Sequence, residues 1–276
     1  MEKFVESLYR HALAHGGKVE FKAAYSLYLS ASGPVPEHEK IPRVHYETYV
    51  RELANIAAES RSEGVESRPQ GRIGETTEGF VSTPPSSREE QGHRYNTFYR
   101  AWPSGRSPEL GEQTRVTLHL KPRRILEVWR PVSKEMLPEL SREVRVAKVA
   151  GPSEANRRHD SINVYTDSKE AADRVEAWIR ERFDASYFRL HSEEPCLQKE
   201  LSPGVSWAQE MITEENESLG QLATQAAMSA LKSLAVERPG APLPVDEALA
   251  LLKGDLLSDA LEEYGRNPMD PHLLDE

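Results

Sequence analysis

From Arg94 to Phe183 two kinds of periodicity follow each other twice. Short runs alternate apolar and polar residues, and each pair of runs is followed by apolar residues at helical spacing. The order is strand, strand, helix, strand, strand, helix. It favours an α+β fold, with a mostly antiparallel sheet and helices packed on one side. Arg94–Trp102, RYNTFYRAW, reads as the first strand, and Pro103-Ser104-Gly105 turns out of it. Thr114–Lys121, TRVTLHLK, alternates most clearly. Val116, Leu118 and Leu120 point inward, while Arg115, Thr117, His119 and Lys121 line a polar, partly basic second face. Pro122 opens a helix to about Leu140, which Pro131 should kink or divide. Asp167 and Glu170 have capping-box spacing and begin a helix to Phe183.

The most informative chemistry lies between Arg142 and Asp167. In the first strand of this stretch, alternation puts Val144, Val146 and Lys148 on one face and Arg145, Ala147 and Val149 on the other. Gly151-Pro152 breaks the strand, and the following loop carries Arg157, Arg158, His159 and Asp160. A second strand has Ile162 and Val164 on one face and Asn163 and Tyr165 on the other. A lysine beside an arginine pair points to an anion, with phosphate the first candidate. The plain alternative is a solvated strand end and loop.

The flanks read as helical. Residues 3–30 form two helices broken at His15-Gly16-Gly17, and Val44–Glu59 forms a third. Together, residues 1–60 make a helical N-terminal region. Residues 61–93 are rich in Ser, Gly, Glu, Arg and Pro and are expected as a flexible loop or linker. An α+β domain with C-terminal helices spans 94–264. These helices run over Ser218–Ala235 and Val245–Tyr264, and an acidic tail covers 265–276.

Composition excludes several functions. The net charge of −10 argues against general nucleic-acid binding. The charge is uneven: Arg115–Asp160 is net +5 and Ser192–Glu276 is net −12, which suits a small anion better than a polyanion. A single cysteine, Cys196, rules out an internal disulfide and points to a reducing, cytoplasmic compartment. No apolar run reaches the ~20 residues of a membrane span. The histidines are scattered without metal-ligand spacing, so no metal or other cofactor is expected. No glycine-rich phosphate loop follows a strand, and no Gly-x-Ser-x-Gly elbow occurs.

RYNTFYRAW, RVTLHLKP, RVAKV, NRRHDSINVYTDS, LSPGVSWAQE and the helix start ESLGQ occur in this order between Arg94 and Leu234. In order and approximate spacing they resemble the HopA-like family, named for a plant-pathogen type III effector and also found in bacterial peptide-modification clusters. The chain departs from the family pattern at Leu219, where an aromatic is usual, at Ala223, where a basic residue is expected, and at His119, where many relatives have Asn.

The resemblance implies two functions. In class V lanthipeptide and thioamitide biosynthesis, an aminoglycoside-phosphotransferase-like kinase phosphorylates Ser or Thr of a precursor peptide. The HopA-like partner then acts as a lyase, eliminating phosphate to leave dehydroalanine or dehydrobutyrine. Effector members, or non-catalytic partners of the kinase, would act by protein interaction instead. The family's fold is similar to phosphothreonine lyases, which use a lysine base and a histidine acid. On that implication Lys148 is the candidate base and His119 the candidate acid, with His93 and His159 as rivals. Arg115, Arg157 and Arg158 are the candidate phosphate clamp, and Tyr99 and Tyr165 candidate pocket residues. Alternatives stand for several: Lys148 as a snorkelling strand-edge side chain, His119 as an exposed strand histidine, Arg158 as a partner of Asp160, and the two tyrosines as core.

Overall fold

The alternating runs pair into one sheet of seven strands. These are β1 (Val65–Pro69), β2 (Phe98–Pro103), β3 (Gly111–Leu118), β4 (Val144–Ala150), β5 (Ile162–Thr166), β6 (Lys199–Ser202) and β7 (Val205–Ile212), in the order β1-β2-β4-β5-β3-β7-β6. The pairs β1/β2, β2/β4, β4/β5 and β5/β3 are antiparallel. The computed structural model describes residues 2–31, 33–69, 95, 97–106, 111–189, 197–212, 219–237, 243–264, 266 and 272–273. As the sequence indicated, the fold is α+β.

One face of the sheet is apolar because alternate residues of every inner strand are. Tyr99 and Ala101, Val116 and Leu118, Val144, Ala147 and Val149, and Ile162 and Val164 are all buried in one core. Helices cover that face. Leu53 and Ile56 come from the helix Tyr46–Arg61, Val128 and Trp129 from Ile125–Pro131, and Val175 and Ile179 from Lys169–Arg182. Burying a side chain of this size stabilises by about 1.5–3 kcal/mol. The helices therefore stay where the stripes put them.

Three local expectations are corrected by the backbone. In β4 the register shifts between Val144 and Val146, which pair with the consecutive residues Thr166 and Tyr165. Arg145 is the extra residue of a β-bulge. Val144 therefore joins Ala147 and Val149 in the core, while Val146 and Lys148 face the other way. Simple alternation had grouped Val144 with Lys148. The second correction is at the helix following β5. Its N-cap is Ser168, whose Oγ accepts a hydrogen bond from the Ala171 amide at 3.3 Å. Asp167 instead pairs with Arg145 and Arg106. The third is the linker. Its first part holds edge strand β1, which the pattern hid because Glu66, Ser67 and Arg68 are polar and Pro69 ends it. Residues 70–94 lie outside the described residues. Pro131 acts as expected in dividing its helix: a π-helical turn, Val132–Met136, follows it directly.

The chain groups into two compact units that cross the linear boundaries expected at residues 60 and 94. One comprises Pro34–His191 and Glu200–Trp207 and contains most of the sheet with its covering helices. The other comprises Met1–Gly33, Ser192–Lys199 and Ala208–Glu276. Its core joins Phe4 and Leu8 of the helix Glu2–Ala14 to the alanine-rich helix Leu219–Glu237 and to Leu252, Leu257 and Leu261. No helix among the described residues is long and apolar enough to cross a membrane.

Candidate functional site

On the sheet face away from the core, cross-strand register builds a single row. Arg68 of β1 lies opposite Arg100 of β2, and Arg100 lies opposite Lys148 of β4. Lys148 is opposite Asn163 of β5, and Asn163 is opposite Thr117 of β3. Directly paired residues share a face and stand close together, with Cβ atoms ~4.5–5.5 Å apart. Three cations thus stand side by side on three neighbouring strands. The next row places Tyr165 opposite Arg115.

Aromatic rings support the cations. The Lys148 ammonium donates a hydrogen bond to the Tyr165 hydroxyl at 3.1 Å and lies 4.5 Å from that ring's centre. Arg68 lies over Trp102 at 5.3 Å, and Arg158 over Phe98 at 5.0 Å. Phe98, Arg100 and Trp102 alternate along β2 and so project on the same side. Arg100 has no carboxylate partner among the described residues, and its buried Nε has no hydrogen-bond acceptor there. Burial pulls the Arg100 guanidinium below the usual arginine range. Tyr165 opposes that shift and Arg68 adds to it.

A second cluster is closed on itself. Asp160 receives two hydrogen bonds from Arg158, Nε to Oδ1 and Nη2 to Oδ2, both at 2.8 Å. Arg115 reaches the same carboxylate through Nη2 at 3.1 Å, while its Nε meets Asn163 Oδ1 at 2.9 Å and Thr117 Oγ1 at 3.1 Å. Burial alone would push the Asp160 carboxyl up. Arg158 and Arg115 outweigh it and hold the group at about 2. The two arginines expected as a phosphate clamp therefore direct these donors at protein acceptors. Arg157, the third, is largely exposed and pairs with Glu154 at 3.4 Å.

His119 shares the polar face with Lys148, two strands away across β5. His119 also lies two residues beyond Thr117, which is in register with Lys148, so the two backbone positions stand roughly 12 Å apart at ~4.8 Å per strand and ~3.4 Å per residue. It is buried, with Nε2 2.7 Å from Ser206 Oγ and Nδ1 3.3 Å from the His159 carbonyl. A carbonyl only accepts, so Nδ1 donates to it; in the neutral ring Nε2 then accepts from the Ser206 hydroxyl. Gly204 fixes this neighbourhood. Its carbonyl accepts from the His119 amide at 2.9 Å, its φ is +80°, and a Cβ there would stand 2.5 Å from the Phe188 Cβ. His159 is also buried, and Arg189 donates to its Nδ1 at 3.0 Å. Arg189 in turn pairs with Glu39 at 3.3 Å.

The structure thus brings Lys148 and Tyr165 into contact and joins Arg115 to Arg158 through Asp160. Tyr99 lies on the opposite, helix-covered face, opposite Val149 and within the core. Here the expected pocket role gives way to packing. His93 lies outside the described residues. Sequence reasoning missed Arg100 and Arg68. Arg100 was legible as the polar member between Phe98 and Trp102, whereas Arg68 sat in a stretch with no strand signal. Among the described residues, no group of three or more His, Cys, Asp or Glu side chains is placed to hold a metal ion.

Residues 93–273, well over half of the chain, match the HopA1 effector protein family. The chain belongs to this family. No curated protein sequence matches it. Two solved structures share its fold. The effector protein from Pseudomonas syringae pv. tomato strain DC3000 is 17% identical, with a TM-score of 0.63 over 100% of this chain and 99% of that one. The effector protein from Pseudomonas syringae pv. syringae strain 61 is 18% identical, with a TM-score of 0.67 over 99% of this chain and 96% of that one. Within the family match lie Arg100, Lys148 and Tyr165; Arg68 precedes it. Leu219 and Ala223, where the sequence departs from the HopA-like pattern, are both fully buried in the core of the helical unit.

Proposed function

We propose that this HopA1-family protein is a phosphopeptide lyase, converting phosphoserine or phosphothreonine of a kinase-phosphorylated precursor peptide to dehydroalanine or dehydrobutyrine. The observation that carries the reading is the place of Lys148: half-buried, in register with the Arg100 cation and against the Tyr165 hydroxyl. Lys148 is the lysine of this row, and the reading makes it the base that accepts the Cα proton in its neutral form. The Lys148 amine takes the Cα proton and becomes an ammonium. The electron pair forms the Cα–Cβ double bond, the Cβ–O bond breaks, and phosphate leaves with the bonding electrons. Cations on the same face stabilise the charge that develops on the departing oxygen. His119, two strands away with both ring nitrogens engaged, holds the β3/β7 side of the site, and in this reading water takes the expected His119 role of protonating the departing phosphate. An aminoglycoside-phosphotransferase-like kinase supplies the phosphorylated substrate.

The test is mass spectrometry of a synthetic phosphothreonine peptide incubated with the purified chain. The expected product has lost phosphoric acid and contains an alkene that traps an added thiol. Lys148→Ala should lower turnover by at least ~10²-fold, the low end for loss of a general base, while circular dichroism stays unchanged. Elimination by Lys148→Ala at the wild-type rate overturns the mechanism. If neither protein changes the peptide, yet the chain binds the kinase, action by protein interaction replaces the lyase reading.

A further inference from the structure

The row Arg68–Arg100–Lys148 runs against the ordinary logic of a sheet. Like charges placed directly opposite one another destabilise a sheet. Here two such pairs share Arg100. A buried guanidinium nitrogen without an acceptor adds a further desolvation cost. Neither Arg68 nor Arg100 forms an ion pair with a carboxylate among the described residues. Glu66, the nearest acid on this face by register, lies opposite Trp102 at the exposed end. Nearby, the same chain pairs Arg115 and Arg158 with Asp160, and Arg158 also with Glu154. Arg68 and Arg100 therefore stand directly opposite one another with no carboxylate paired to either among the described residues, and aromatic rings flank the row. Trp102 holds Arg68 at the exposed edge, and Tyr165 holds Lys148 further in.

We infer that Arg100 and Arg68 form the seat for the phosphoryl group of a phosphoserine or phosphothreonine side chain, in place of the Arg115, Arg157 and Arg158 set. The phosphopeptide as ligand rests on the lyase reading. The anion seat itself rests on the row. Arginine's planar fork suits phosphate oxygens. Arg100 is the inner donor, held between strands, and Arg68 closes from the edge. The spacing also fits the chemistry. Three bonds separate Cα from phosphorus in a phosphoseryl residue, a span comparable to the ~4.8 Å between adjacent strands. A phosphate on Arg100 therefore presents its own Cα toward Lys148 on the neighbouring strand.

The test uses inorganic phosphate, which cannot undergo elimination, and the same phosphothreonine peptide, each titrated calorimetrically into the full chain. The unphosphorylated peptide is the control. Wild type should bind phosphate and the phosphopeptide but not the control. Arg100→Gln should weaken both by at least about tenfold, as expected for loss of a charge-assisted hydrogen bond. Arg68→Gln should weaken both by several-fold, and Arg100→Lys should recover part of the loss. Arg157→Gln should bind like wild type. Arg68 is exposed, so its variant remains informative if Arg100→Gln proves unstable. No phosphate binding by wild type overturns the seat, as does wild-type binding by a folded Arg100→Gln or Arg68→Gln protein. Binding that depends on Arg100 without any elimination sinks the lyase reading alone. Elimination that survives Arg100→Gln undiminished sinks the seat alone.

Discussion

Replacing Asp160 with Asn should destabilise the sheet unit by about 2–4 kcal/mol at neutral pH. The lower bound follows from the carboxyl itself. Its folded value of about 2, against an ordinary 3.8, corresponds to about 2.5 kcal/mol of linkage. The upper bound follows from the partners. Arg115 and Arg158 are largely buried, and removing the counter-charge of such a pair costs about 3–5 kcal/mol. The Asn carbonyl still accepts one hydrogen bond and recovers part of that. Because the folded value lies below the unfolded one, the contribution is complete above about pH 4 and is lost as pH falls toward 2. The wild-type advantage over Asp160→Asn should therefore shrink across that window and vanish near its lower end. Urea unfolding followed by tryptophan fluorescence is the assay. All four tryptophans, Trp102, Trp129, Trp178 and Trp207, lie in the sheet unit, so the signal reports that unit. A difference below about 1 kcal/mol at pH 7, or one that persists undiminished at the acid end, refutes the reasoning.

Two further variants probe the scaffold. Gly204→Ala forces a side chain into a left-handed conformation and against Phe188, so the same fluorescence assay should show at least about 2 kcal/mol of destabilisation. Ser168→Ala removes the cap of the helix Lys169–Arg182 and should cost about 1 kcal/mol, with the urea midpoint shifted and the slope unchanged.

The fold was legible wherever periodicity reports burial. Val116 and Leu118 alternate with residues of the other face, Val175 and Ile179 recur at helical spacing, and each takes its expected place in the core. What the sequence hid lay in the pairing between distant segments. The second face of β3 looked solvated because Arg115, Thr117 and His119 are polar, yet all three are buried. Asp160, Asn163, Ser206 and the His159 carbonyl supply the hydrogen bonds that make this tolerable, and they arrive from other strands and loops. The arginine pair 157–158 drew attention by adjacency alone. Neighbours in sequence diverge here: both reach Glu154, but Arg158 turns inward to Asp160 while the Arg157 side chain stays exposed.

The face on which Lys148 stands depends on one residue that neither binds nor reacts. In a regular strand, a buried Val144 would carry Val146 and Lys148 into the core with it and turn Ala147 and Val149 outward. The bulge at Arg145 breaks that coupling, so β4 contributes Val144, Ala147 and Val149 to the core and still delivers Lys148 to the basic row. Arg145 is held by Asp167, at the far end of β5, and Asp167 also binds Arg106 beyond β2. This pairing, 22 residues apart, holds the bulged residue, while burial of Val144, Ala147 and Val149 fixes the register. The bulge places the proposed base beside Arg100 and opposite Asn163, so the chemistry of the row follows from an insertion in the strand rather than from any motif around the lysine.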